Sequence, residues 1–110
     1  MSGEALVLVS CGSKDDVRGM ARRLVEERLA ACVSILTGVT SIYRFKAELH
    51  EDSETLLLIK TNRKHWQDLK SRLLELHSYE VPEIILLSIE AGHGPYLDWL
   101  NQELNAEVKN

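Results

Sequence analysis

The side chains best suited to bind a metal ion in this sequence are two cysteines and four histidines. A cysteine thiolate is a preferred ligand of Cu(I) and other soft ions, and imidazole suits copper and zinc. Cys11 and Cys32 lie far apart, and no CxxC-type spacing is present. The paired ligands of a zinc finger are therefore absent, and any site that uses both cysteines must be assembled by the fold or between subunits.

A second group of possible ligands is an acidic segment around His50. Its carboxylates belong to Glu48, Glu51, Asp52 and Glu54. Hard cations such as Ca²⁺ take oxygen ligands, but the spacing here does not fit an EF-hand. Charged residues on a hairpin usually serve as a solvated surface, so we interpret this segment as solvated rather than metal-binding.

Composition and motifs exclude several classes of protein. The 110 residues, 45% hydrophobic and 27% charged, predict a single soluble domain spanning 1–110. A net charge of −4 argues against a nucleic-acid surface, and no apolar run approaches the about 18 residues of a membrane span. Without a signal-peptide pattern, two cysteines indicate the reducing cytoplasm. Phosphate loops and nucleophile elbows are missing, so we predict no enzymatic activity.

The element that should dominate the fold is a long antiparallel hairpin. Strand-forming residues fill 29–45 and return over 55–61. Fully extended, 29–45 would reach roughly 55 Å, whereas a domain of this size has a radius of gyration of about 13 Å. The hairpin must therefore bend or project beyond its own domain, and Gly38 is the natural place for a bend or bulge.

The remaining pattern predicts the order βαββαβ followed by a C-terminal helix. Apolar runs at 5–11 and 84–89 indicate further strands. Ser13 is a candidate cap for the first helix, the second ends near His77, and Gly94 precedes a proline that starts the last. We predict an α+β, ferredoxin-like βαββαβ sandwich with an extra C-terminal helix and with the first and third strands central.

One face of this sheet has no covering layer in the sequence. Two helices cover the other face. If the open face were exposed to water, every second residue along each strand should be polar. Instead 6–9, 56–59 and 84–87 are apolar at every position. We therefore expect the open face to be buried against other copies of the chain.

Five segments, in this order, resemble one known family. They are Leu29-Ala30-Ala31-Cys32-Val33, Thr40-Ser41-Ile42-Tyr43-Arg44-Phe45, Leu58-Ile59-Lys60-Thr61, Tyr79-Glu80-Val81-Pro82-Glu83-Ile84 and Tyr96-Leu97-Asp98-Trp99-Leu100. The chain resembles the CutA divalent-cation-tolerance family over nearly its whole length. The resemblance implies a homotrimer with inward-facing sheets, built like PII signalling proteins. It also implies binding of copper or another divalent cation, with no obligatory cofactor, in metal-ion tolerance or homeostasis.

The same resemblance suggests which residues bind the metal. Cys32 matches the family's motif cysteine, and Cys11 resembles a cysteine found in some members. His77 matches a motif position. The alternatives are that Cys32 is a small buried hydrophobe and that His77 simply complements the dipole at a helix C-terminus. We predict a metal site of Cys32 and His77, with Cys11 as a further ligand.

A different function is implied by three other motif positions. Lys60, Tyr79 and Glu83 match residues that could line a cleft between subunits, where PII-like trimers hold small molecules. The alternative to metal homeostasis is therefore a trimeric scaffold or sensor for a small molecule or a protein partner.

Three positions depart from the family pattern. Phe45 stands where tryptophan is usual, and Ser78 replaces a proline next to His77. Ala47 occupies the usual glycine of the hairpin turn, although alanine disfavours a positive φ.

Overall fold

The computed structural model describes residues 3–106 and has the α+β architecture that the sequence predicts. Its elements in chain order are β1 (Glu4–Cys11), α1 (Val17–Glu26), β2 (Cys32–Phe45), β3 (Glu48–Asn62), a 3₁₀ turn (Arg63–His65), α2 (Trp66–Leu76), β4 (Ile84–Ser88) and α3 (Gly94–Asn105). No helix within the described range is both long and apolar enough to span a bilayer.

The four strands form one antiparallel sheet in the order β2-β3-β1-β4. β1 and β3 are therefore the central strands, as predicted. Alternate residues of both strands point towards α1 and α2 and are fully buried, among them Val7, Val9, Leu57 and Ile59. The helices complete this core with Met20, Leu24, Leu69 and Leu73.

The opposite face of the sheet is only partly covered. α3 packs over one end of it, where Leu100 and Leu104 form a small buried cluster with Ala31. Elsewhere the strand register places Leu6 opposite Leu87 and Leu8 opposite Ile85 on this open face. The side chains of β4 there are about half exposed, with Ile85 at 45% and Leu87 at 48%.

β2 and β3 form the long hairpin. Its distal part, residues 39–54, is called the arm below. The pairing shifts register between Leu36 and Val39, and Gly38 there has φ 74°, which confirms the predicted bulge. At the tip, Lys46 and Ala47 have φ values of 51° and 65°, as in a two-residue type I′ turn. The radius of gyration of 14.7 Å exceeds the roughly 13 Å expected of a compact chain of this size, in keeping with a projecting arm.

Two strand boundaries and one helix cap differ from the sequence predictions. β3 starts at Glu48 rather than residue 55, because paired backbones in a projecting arm need no apolar side chains. β2 starts at Cys32 rather than residue 29, since the chain leaves α1 through a turn in which Arg28 has φ 60°. Asp16, not Ser13, caps α1: its carboxylate accepts the Gly19 N–H at 3.1 Å.

Candidate metal centre

Three potential ligands meet where β1 ends on the helix-covered side of the sheet. Cys11 is the last residue of β1, Asp15 lies in the following loop, and His77 caps the C-terminus of α2. One donor atom from each, the Cys11 thiol, a carboxylate oxygen and a ring nitrogen, lies within 4.8 Å of the other two. Cys11 is fully buried, and the side chains of His77 and Asp15 are 0% and 1% exposed.

Both ring nitrogens of His77 have hydrogen-bond partners. Nε2 lies 2.7 Å from the carbonyl oxygen of Ser10, which can only accept, so Nε2 carries a hydrogen. Nδ1 accepts the backbone N–H of Tyr79 at 3.1 Å, so it presents a lone pair. This neutral tautomer is the form in which histidine binds metals, with the second nitrogen oriented by a backbone carbonyl.

Asp15 connects the loop after β1 to the end of α2. Its carboxylate accepts the backbone N–H of Gly12 at 3.0 Å and that of Ser78 at 2.8 Å, and it lies 3.8 Å from His77 Nδ1. Burial opposes its ionisation, yet these backbone donors, with the hydroxyl of Ser78, hold the pKa of Asp15 below its usual value. The centre therefore contains a buried negative charge, which favours a bound cation.

Cys11 is held as a neutral thiol. Burial, with the nearby negative charges of Asp15 and Glu54, raises its pKa to about 12. A metal ion would have to displace the proton from this thiol, which metals readily do to a ligating cysteine. Three ligands around one ion at about 2.0–2.3 Å lie roughly 3.5–4 Å apart, so the three donors, which lie within 4.8 Å of one another, would draw slightly closer together on binding.

Cys32 lies apart from this cluster. The strand register pairs Cys11 with Thr55 on the helix-covered face and Cys32 with Lys60 on the open face. The Lys60 ammonium is 3.9 Å from the Cys32 thiol and also donates to the hydroxyl of Ser34. The structure therefore brings together Cys11 and His77 of the residues predicted from sequence and places Cys32 beside a cation instead.

Of the three predicted cleft residues, two meet and one does not. Tyr79 and Glu83 line the same cavity of about 680 Å³, between the arm and the segment that precedes β4. Lys60 lies with Cys32 on the open face. The Tyr79 ring also packs against the His77 ring, tilted by 53° with the centroids 4.7 Å apart. A Cβ at Gly12 would overlap the Tyr79 hydroxyl, so glycine allows this close approach.

Asp15 is the potential ligand that sequence reasoning missed. Its position beside Asp16 before a helix suggests capping and dipole compensation, which are the commoner roles of such acids. Asp16 performs the capping, and Asp15 turns inward towards Ser78, sixty-three positions along the chain. A contact of that range has no local sequence signal.

Comparison with known proteins agrees with the fold and the motifs. Residues 5–103 match the family described as CutA1 divalent ion tolerance protein. The divalent-cation tolerance protein CutA of Thermus thermophilus is 50% identical over 99 residues, 90% of this chain and 96% of that protein. Two other proteins that this chain matches are named for different compartments. One from Arabidopsis thaliana is called chloroplastic, and one from Archaeoglobus fulgidus is called periplasmic.

Solved structures show the same architecture. The Thermus thermophilus structure superposes with a TM-score of 0.87 at 50% identity, covering 91% of this chain and 97% of that one. The CutA structure from Xylella fastidiosa gives a TM-score of 0.89 at 38% identity, covering 94% of this chain and all of that one. The chain belongs to the CutA1 divalent ion tolerance family.

Proposed function

We propose that this protein binds copper or another divalent cation at the centre formed by Cys11, Asp15 and His77, and that this binding serves metal-ion tolerance. The observation that supports the proposal most strongly is the cluster itself: a thiol, a carboxylate and an imidazole within 4.8 Å, all buried. A thiol with an imidazole suits copper better than Ca²⁺ or Mg²⁺, which prefer oxygen ligands.

Each residue has a distinct part in this binding. Cys11 supplies a thiolate once its proton has left, and His77 supplies the lone pair of Nδ1 while Ser10 fixes the ring through Nε2. Asp15 adds negative charge, and each of its carboxylate oxygens has a second lone pair with which it could ligate directly. Because Nδ1 already accepts the Tyr79 N–H, ligation must break that bond, which favours reversible binding over a permanent structural site.

The predicted role of Cys32 stays a prediction. The cluster of three ligands forms within one chain without it, and Lys60 beside it disfavours a cation. Cys32 would ligate only if another copy brought further ligands to the open face.

The assembly, location and lack of catalysis belong to the same proposal. The half-exposed apolar side chains on the open face support a homotrimer in which copies bury these faces against each other, with the long arms reaching neighbouring subunits. We propose a cytoplasmic, non-enzymatic binding protein; the family name describes tolerance of ions and no reaction.

A competition titration with Cu(I), under anaerobic conditions, and with Cu(II) tests the metal proposal. The native protein should compete with a strong chelator at a stoichiometry of one ion per chain. Cys11→Ser and His77→Ala should lose this competition, while Cys32→Ser, the matched control cysteine, should keep it. Weak binding that is equal in all four proteins would contradict the proposal and indicate surface adsorption.

The cavity supports a second candidate function, that of a scaffold or sensor. Its volume of about 680 Å³ falls in the range of small-molecule sites, and it contains Tyr79 and Glu83 from the predicted cleft. Lys60, the residue that would favour an anionic ligand such as a nucleotide, does not line it.

A further inference from the structure

The cavity beside the arm has a wall of aromatic rings. Tyr43 and Phe45 come from the arm, and Tyr79 comes from the segment after α2. Ile42 and Val81 add aliphatic surface. Aromatic faces carry negative charge density and attract ammonium and guanidinium groups within about 6 Å.

The charged groups of the cavity are all of one sign. Among the described residues that line it, Glu54, Glu80 and Glu83 carry carboxylates, and none is a lysine, arginine or histidine. Glu54 is half-buried, so its charge is less screened by water than that of the two exposed glutamates. A cation is attracted by these carboxylates and an anion is repelled; the Lys46 ammonium lies next to the aromatic wall, 5.4 Å from the centroid of the Phe45 ring.

Hydrogen bonding within the cavity also favours a donor ligand. The Tyr79 hydroxyl donates to Glu54 Oε2 at 2.9 Å, and the Tyr43 hydroxyl donates to the carboxylate of Asp52. Both phenol hydrogens are therefore committed, and the phenol oxygens can only accept from a ligand. A phosphate or carboxylate ligand would find few side-chain donors here.

One hydroxyl of the cavity lining comes from the central strand β1. Ser10 is only 5% exposed and lines the cavity. It lies on the open side of β1, whereas the neighbouring Cys11 faces the helices.

From these contacts we infer that the cavity binds a small organic cation, an ammonium or guanidinium group on a short apolar stem. The charged head lies between Glu54 and the aromatic rings, and the stem contacts Ile42 and Val81. The inference rests on the second candidate function, for which it names the ligand class, and it uses none of the three metal ligands.

Calorimetry with chosen probes tests this inference. Agmatine and butylamine are the cationic probes, 1-butanol is the neutral isostere, and inorganic phosphate, AMP and Mg²⁺ complete the set. We expect saturable binding of the amines, at least about tenfold tighter than any binding of 1-butanol, and weaker at high salt. Phosphate, AMP and Mg²⁺ should not displace the amines.

Three variants locate the binding. Glu54→Gln removes the charge but keeps an oxygen that accepts from Tyr79, and it should weaken amine binding about tenfold or more. Phe45→Leu removes a ring at similar apolar size and should weaken binding about threefold or more. Glu51→Gln, an exposed acid of the same strand outside the cavity, should change nothing.

Several results would overturn the inference, and they show whether the scaffold or sensor function fails with it. Tighter binding of 1-butanol, AMP or phosphate would show a small-molecule site of another chemical class. Binding of none of the probes would remove the scaffold function as well. Dissociation of an oligomer by the amines would show that a basic side chain of another copy fills the cavity. Unchanged copper competition by Phe45→Leu, a residue that lines the cavity and contacts none of the three metal ligands, would confirm that the metal centre is a separate site.

Discussion

Asp15 is the residue on which the candidate centre most depends, because it accepts two backbone N–H groups and contributes the buried negative charge. Asp15→Asn replaces an oxygen with an amide group that cannot accept, so one of the two donors loses its partner. We expect the free energy of unfolding at neutral pH to fall by about 1–3 kcal/mol, measured by urea denaturation. Asp16→Asn, which keeps a capping oxygen, should cost much less.

The pH dependence of stability follows from the direction of the Asp15 pKa. Its folded pKa lies below the ordinary value of 3.8 for an aspartate, so its stabilising contribution is complete above that value. The contribution is lost as the pH falls through the lower, folded pKa. The stability difference between native protein and Asp15→Asn should therefore shrink in acid; a difference that grew there would contradict this role.

The raised pKa of the Cys11 thiol predicts how metal affinity varies with pH. The thiol has a pKa of about 12, so it is protonated across the neutral range and must release its proton to ligate. Affinity should rise about tenfold per pH unit between pH about 6 and 9, once the chelator's own protonation is subtracted. In Cys11→Ser this slope should disappear; an equal slope in that variant would exclude Cys11 as the ligand.

Residue identities could be predicted for part of the site only. Cys11 and His77 were both named from the sequence, and they meet. Residue type alone could not decide whether Cys32 lies with them, because the identity of a cysteine does not show which face of the sheet it lies on. Only the register, in which Cys11 pairs with Thr55 and Cys32 with Lys60, separates the two.

At the scale of elements, the arm turn contains a residue under strain. Ala47 has φ 65°, a region that costs a non-glycine residue about 1–2 kcal/mol. Ala47→Gly should raise the free energy of unfolding by about 0.5–1 kcal/mol, since the extra flexibility of unfolded glycine offsets part of the gain. Urea denaturation and hydrogen exchange of the arm amides measure the change.

A matched control for this turn is Ala91→Gly, at an exposed loop position that is not among the positive-φ residues. That change should be neutral or destabilising. Equal stabilisation by both substitutions would show that Ala47 is not strained.

Apolar periodicity predicts elements well wherever one face is buried. β1, the buried part of β3, α1 and α2 followed their patterns, because each contributes to the core around Val7, Leu24 and Leu69. The part of β3 that lies in the arm, residues 48–54, was missed, since its side chains are mostly exposed and need no alternation. The cap at Asp16 was missed because Asp15 and Asp16 are equivalent in type, and only tertiary contact distinguishes them.

At the scale of the whole molecule, the open face of the sheet predicts association. Leu87 is 48% exposed on that face, and a charge there would be buried without a partner in an assembly. Leu87→Lys should therefore shift the protein to a smaller species, measured by sedimentation velocity or light scattering.

Leu74→Lys provides the control, because Leu74 is similarly exposed, at 53%, but lies on α2. That variant should keep the native mass. A native protein that is already monomeric, or an unchanged mass in Leu87→Lys, would contradict burial of the open face between copies.

The central claim is that the metal ligand is the thiol on the helix-covered face, Cys11, and not the one on the open face, Cys32. The most direct test is the absorption spectrum of the Cu(II)- or Co(II)-loaded protein, in which a thiolate ligand gives a sulfur-to-metal charge-transfer band. We expect the band in the native protein and in Cys32→Ser, and its loss in Cys11→Ser. A band that persists in Cys11→Ser and vanishes in Cys32→Ser would place the metal on the other side of the sheet.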